Sequence, residues 1–124
     1  MRVIMNSDED MDISDFNSPG INIETKNTDA HYSALQMFAT SLALCTYSVL
    51  ASYAEQINVS SDKIAVHLQW SYEKDPFRIT YIEMDIDWAE LPSTRLEAAR
   101  HAAMMCTLHN TLAHPPEFVT RVNS

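Results

Sequence analysis

The stretch AHYSALQMFATSLALCTYSVLASYA, residues 30–54, contains no Asp, Glu, Lys or Arg. It is long enough to cross a bilayer. However, His31, Ser33, Gln36, Thr40, Ser41, Thr46, Ser48 and Ser52 interrupt its apolar character, and the nearest charged residues, Asp29 and Glu55, are acidic where lysine or arginine anchors belong. The segment therefore reads as a helix enclosed by protein on most sides. Thr28 or Asp29 can serve as its N-cap, and Asn58-Val59-Ser60-Ser61-Asp62 breaks it after Ile57. Apolar residues around most of its circumference place it at the centre of the domain.

Strands are expected on both sides of this helix. Downstream, Ile64, Val66, Leu68, Trp70 and Tyr72 alternate with Ala65, His67, Gln69 and Ser71, the pattern of a strand with one buried face. Glu73-Lys74-Asp75-Pro76 turns the chain into a second strand whose parity changes. Phe77, Ile79 and Tyr81 are odd, whereas Ile82, Met84, Ile86 and Trp88 are even. A one-residue slip moves side chains to the other face, so a β-bulge is expected near Tyr81–Ile82, unless the strand passes into a second environment such as a subunit interface. Thr94-Arg95-Leu96-Glu97 reads as a capping box opening a second helix that carries Cys106 and stops at Pro115-Pro116. Phe118, Thr120 and Val122 could add a last short strand. Upstream, residues 1–27 read as short strands with a type II turn at Ser18-Pro19-Gly20-Ile21, and Asp8-Glu9-Asp10 as a solvated loop or edge. The order predicts one α+β domain over residues 1–124: an antiparallel sheet with a long central helix and a second helix, both on one face.

A chain of 124 residues with 46% hydrophobic content can build a core without disulfide staples or a metal. Its net charge of −9, with no basic cluster, argues against nucleic acid and against anionic membrane surfaces as partners. Two cysteines and an acidic N-terminus without a leader pattern suggest a cytoplasmic protein with reduced thiols.

Those cysteines are the residues with chemistry to offer. Cys45 sits midway along the first helix. Cys106 follows Ala99, Ala102 and Ala103, small residues that let another helix approach, and precedes His109 by one turn. Helices packed this closely could bring the thiols within disulfide reach, Cα atoms about 4.4–6.8 Å apart. Each cysteine alone reads first as a small buried hydrophobe, and the spacing by itself does not overturn that. A mid-helix thiol should stay protonated unless a cation reaches it, the candidates being His31, His109, Arg2, Arg78, Arg95, Arg100 and Arg121. His109 is favoured as base or cation for the site. A zinc site from Cys45, Cys106, His109 and His31 has only one close ligand pair, Cys106-x-x-His109. Trp70, Trp88, Tyr47 and Tyr53 are core candidates that could line an apolar pocket, and His67 belongs on the surface by parity.

The segment from Leu35 to Thr46 resembles the central helix of the OsmC/Ohr family of thiol-dependent hydroperoxide reductases. So does the later order of an Ile-Ala-Val strand, a strand ending at Leu91-Pro92, and a helix with Cys106 and Asn110-Thr111-Leu112. The resemblance covers roughly residues 20 to 122. It implies an intertwined homodimer, with Cys45 as peroxidatic cysteine, Cys106 as resolving cysteine, and a small organic hydroperoxide as substrate. An external dithiol reductant would recycle it, with no metal or organic cofactor. It also implies an activating glutamate where this chain has Leu35, an arginine from N-terminal strands that here hold only Arg2, and a proline where Thr107 stands. These departures leave room for a relative without peroxidase activity that binds a hydrophobic ligand or senses redox state.

Overall fold

Period-two burial builds the sheet, and a computed structural model describes all of it, residues 1–124. In β1 (Arg2–Ser7) and β2 (Asp10–Ser14), Val3, Met5, Met11 and Ile13 are buried while their neighbours are not. After β3 (Asn22–Thr25) and the helix α1 (Ala34–Ile57), β4 (Ala65–Glu73) repeats the pattern with Val66, Leu68 and Trp70. The last strand is β5 (Arg78–Asp87), and the short helices α2 (Leu96–Ala103) and α3 (Thr107–Ala113) follow it. The strand order is β3-β1-β2-β4-β5, which leaves β5 on a free edge. The sheet is antiparallel except that β3 runs parallel to β1, a departure from the all-antiparallel expectation. Leu42, Ala43, Leu50 and Ala54 of α1 join the inward strand residues in one core. Each such leucine contributes about 1.5–3 kcal/mol by leaving water.

Both ends of α1 have a local cause. The helix starts at Ser33 rather than at Thr28 or Asp29, because Asn27 draws that segment into a turn. Asn27 Oδ1 accepts the Asp29 N–H at 3.0 Å and its carbonyl accepts the Ala30 N–H at 3.0 Å. Gln36 Oε1 then takes the Ser33 N–H at 2.9 Å, and Gln36 Nε2 donates to the Asp8 carbonyl at 2.7 Å, tying the helix start to the β1–β2 turn. At the other end Asn58 adopts φ 56°, and the Val59 N–H returns to the Ala54 carbonyl at 3.0 Å. Gly20 takes φ 75°, as a type II turn requires of its second central residue.

The parity change in β5 is a bulge. Tyr72 pairs with Ile79 and Ser71 with Tyr81, so Thr80 is the unpaired residue, one position before the expected slip. Tyr81 consequently lies on the outer face, 58% exposed, whereas Ile82, Met84 and Ile86 face inward. Two other expectations fail. The second helix breaks at Met104–Met105, so Cys106 is the N-cap of α3 and not a mid-helix residue. Residues 114–124 form no strand, and Phe118, Val119 and Val122 are 84%, 63% and 95% exposed because no sheet edge of the same chain meets them.

On the sheet's outer face Asp12, His67 and Asp85 stand side by side across three strands. His67 Nδ1 lies 2.7 Å from Asp12 Oδ1, and Nε2 lies 3.4 Å from Asp10 Oδ1. The hydrogen bond to Asp12 raises the His67 pKa above its ordinary value, with the charges of Asp10, Asp12 and Asp85 also outweighing burial. Burial pushes Asp12 up, but hydrogen bonds from Asn6 and His67 leave it below the usual carboxylate value. A raised histidine stabilises the fold below its unfolded pKa and loses that contribution as pH rises through the folded value. A lowered aspartate does the reverse, losing its contribution as pH falls through the folded value. His67→Gln should therefore cost most at mildly acidic pH, about 1 kcal/mol or less for so exposed a pair. The difference from wild type should fade as pH climbs well past 6.5, the ordinary histidine value. Urea melts at pH 5.5 and 8.5 measure it, and equal differences at both would refute the linkage.

Candidate functional site

Small residues dock α2 and α3 on α1. Ala99 is buried, and Ala102, Ala103 and Leu108 pack against the core. The chain then turns at Met104–Met105, tightened by Met105 N–H to Ala102 O at 3.0 Å and Cys106 N–H to Ala103 O at 3.4 Å. This break aims the first amides of α3 at α1. Cys45 and Cys106 come together there as free thiols, their side chains hydrogen-bonded to each other. Cys106 is wholly buried, and Cys45 is partly open to solvent.

The environment separates the two thiols chemically. Burial pushes Cys45 up, but the Cys106 hydrogen bond and the backbone N–H groups of Leu108 and Thr107 outweigh it, so its pKa lies below the ordinary thiol value. Burial pushes Cys106 up, reinforced by the hydrogen bond to Cys45 and by its charge, and the N–H groups of His109 and Leu108 do not offset this. Cys45 is thus the better thiolate and Cys106 the proton-bearing partner. No cation contributes to either. Arg2 is paired with Glu24 at 3.2 Å, Arg78 with Glu73 at 3.4 Å, and Arg100 with Glu97. Backbone amides of another helix, those of Leu108 and Thr107, favour the Cys45 thiolate.

His109 stands one turn beyond Cys106. Its Nδ1 is buried without a hydrogen-bond partner, and its side chain lines an apolar cleft of about 1140 Å³ between α1, β5 and the α2–α3 segment. Leu35, at the position of the family's glutamate, lines the same cleft. Neither cysteine does; Leu42, Thr46, Ala103 and His109 form that part of the wall. Of the aromatic residues expected around a pocket only Trp88 lines it. Tyr47 stacks on Phe16 in the core with centroids 4.4 Å apart, Trp70 is buried under the sheet, and Tyr53 meets Trp88 edge-on at 6.4 Å. Cys45, Cys106, His109 and His31 do not converge as a metal-ligand cluster. The signal that sequence reasoning missed is the α2–α3 break, which carries no glycine or proline.

A search of curated proteins found no match. Among solved structures the chain is similar to a protein from Psychrobacter arcticus 273-4 described as a candidate osmotic stress induced and detoxification response protein. The TM-score is 0.58 at 18% sequence identity, covering 88% of this chain and 84% of that one. That likeness concerns the fold. The family model described as OsmC-like protein matches residues 26–121, from the approach to α1 through the thiol pair to the tail. The chain belongs to the OsmC-like protein family.

Proposed function

We infer that this protein is a cytoplasmic, homodimeric, thiol-dependent reductase of small organic hydroperoxides acting in stress defence. The observation that carries the reading is the meeting of two free thiols from separate helices, Cys45 of α1 partly open to solvent and Cys106 at the start of α3 buried behind it. The Cys45 thiolate attacks the peroxide O–O bond. It forms an S–O bond and expels an alkoxide, which takes up one proton to leave as alcohol; His109, one turn beyond Cys106, is the candidate donor. The sulfenic acid on Cys45 condenses with the Cys106 thiol, releasing water and forming the disulfide. An external dithiol reduces that disulfide by exchange and becomes oxidised itself. No metal or organic cofactor enters the scheme. The dimer is supported by the exposed apolar residues of α1, Met37 and Leu44, the latter adjoining Cys45, which a second copy would cover.

The absence of a guanidinium at Cys45 favours a second reading, a redox sensor whose disulfide forms slowly and without turnover. Reduced protein treated with one equivalent of cumene hydroperoxide separates the two. Loss of peroxide within seconds, a mapped Cys45–Cys106 disulfide and repeated turnover with excess dithiothreitol support the reductase. Oxidation over hours without turnover supports the sensor. Thiols that stay reduced eliminate both.

A further inference from the structure

Three methionines are strongly exposed, Met105 at 70%, Met37 at 55% and Met104 at 44%. If access alone set their reactivity toward peroxide, Met104 would come last of the three. Its surroundings differ from theirs. Arg100 Nη1 donates to Met104 Sδ at 3.4 Å, a contact that Met37, Met84 and Met105 lack. Glu97 holds the same guanidinium, accepting from Nε at 3.0 Å and from Nη2. Met104 and Arg100 also line the apolar cleft together, whereas Met37 and Met105 stand outside it. We propose that Met104 is a second peroxide-reactive site, converted to its sulfoxide by an organic hydroperoxide ahead of the more exposed Met105, with Arg100 directing the oxygen transfer.

The helix fixes the pair. Met104 caps α2 four residues after Arg100, so the two side chains share one face. One lone pair of Sδ accepts the Arg100 N–H, and the other attacks the terminal oxygen of the hydroperoxide. An S–O bond forms, the O–O bond breaks, and the proton of the transferred hydroxyl passes to the departing alkoxide, which leaves as alcohol. Sulfur gives up two electrons and the peroxide takes them. Negative charge builds on oxygen as the O–O bond opens, beside a guanidinium already held in position. The product gains further. A thioether sulfur is a weak acceptor, whereas the polar sulfoxide oxygen accepts a charge-assisted hydrogen bond from the same arginine. The apolar cleft wall favours an oxidant with an alkyl or aryl group over hydrogen peroxide. Met84 lines that wall as well but has no donor on its sulfur, which makes it the control for location without a cation. Neither thiol takes part, so this assignment goes beyond the thiol reaction and stands apart from it.

Peptide mapping by mass spectrometry tests it with limiting cumene hydroperoxide, on Cys45→Ser and on Cys45→Ser combined with Arg100→Gln. Serine at position 45 stops the thiol reaction from removing the oxidant, so the outcome is independent of how the thiols behave. Arg100 is exposed, and the buried Met5 and Met11 certify an intact fold by staying reduced. Met104 sulfoxide should form about fivefold faster than Met105 sulfoxide, and faster than Met84 sulfoxide, while Arg100→Gln should return the order to Met105 first. With hydrogen peroxide in place of cumene hydroperoxide the preference for Met104 should shrink. Met105 oxidised first in the chain that keeps Arg100, or a preference for Met104 that survives Arg100→Gln, overturns the proposal. An equal preference with the two peroxides overturns the assignment of an organic hydroperoxide as its oxidant.

Discussion

Cys45→Ser should lose peroxide consumption by a factor of at least about 1,000, since a serine hydroxyl does not ionise near neutral pH and oxygen is a poor nucleophile toward the O–O bond. Cys106→Ser should behave differently. One equivalent of peroxide should disappear per chain, after which Cys45 remains as a sulfenic acid that dimedone can trap. The asymmetry follows from what holds each thiol. Cys45 has backbone donors that favour its thiolate, so it can attack with its partner absent, although loss of the Cys106 hydrogen bond should slow it. Cys106 is held protonated by burial and by the Cys45 hydrogen bond and charge. Oxidation of Cys45 removes that negative charge, and Cys106 can then release its proton and close the disulfide. Peroxide consumption assays and mass spectrometry of dimedone adducts read both variants. Equal activity of Cys45→Ser and wild type would remove Cys45 from the chemistry.

The features legible in the sequence were those set by periodicity over several residues. The charge-free run 30–54 announced α1, and the alternation from Ile64 to Tyr72 announced β4. The switch from odd to even apolar residues announced the β5 bulge to within one residue, because a strand with one buried face cannot slip without turning its side chains over. The break between α2 and α3 left no such trace. Residues 96–113 contain no glycine or proline, and the turn at Met104–Met105 is imposed by how Ala99, Ala102 and Cys106 pack against α1. The electrostatics of Cys45 were hidden for the same reason. Its donors are main-chain amides of Thr107 and Leu108, remote in sequence, and a search restricted to basic side chains cannot find them. The unpaired tail shows the limit from the other side. Its alternation is real, yet alternation supplies a strand's faces and not the neighbour that completes its hydrogen bonds.

Thr107→Pro tests that amide contribution directly. Proline has no N–H, so the substitution deletes one donor to Cys45 while leaving the Cys45 side chain and its Cys106 partner in place. The backbone accepts it. Thr107 is the first residue of α3, where proline is favoured, and Cys106 has φ −58° and ψ 135°, the extended geometry a following proline demands. The helix therefore persists, and melting temperature should change little. Thr107 is the weaker of the two backbone donors and Cys45 is partly open to solvent, so the thiolate should become a few-fold scarcer near neutral pH. Alkylation of Cys45 by iodoacetamide should slow by a similar factor at pH 7 and approach the wild-type rate at pH 10, above the ordinary thiol value of 9.0. That convergence distinguishes a pKa effect from restricted access, which would slow alkylation equally at every pH. A rate unchanged at pH 7 would mean that the amides of α3 do not govern the reactivity of Cys45.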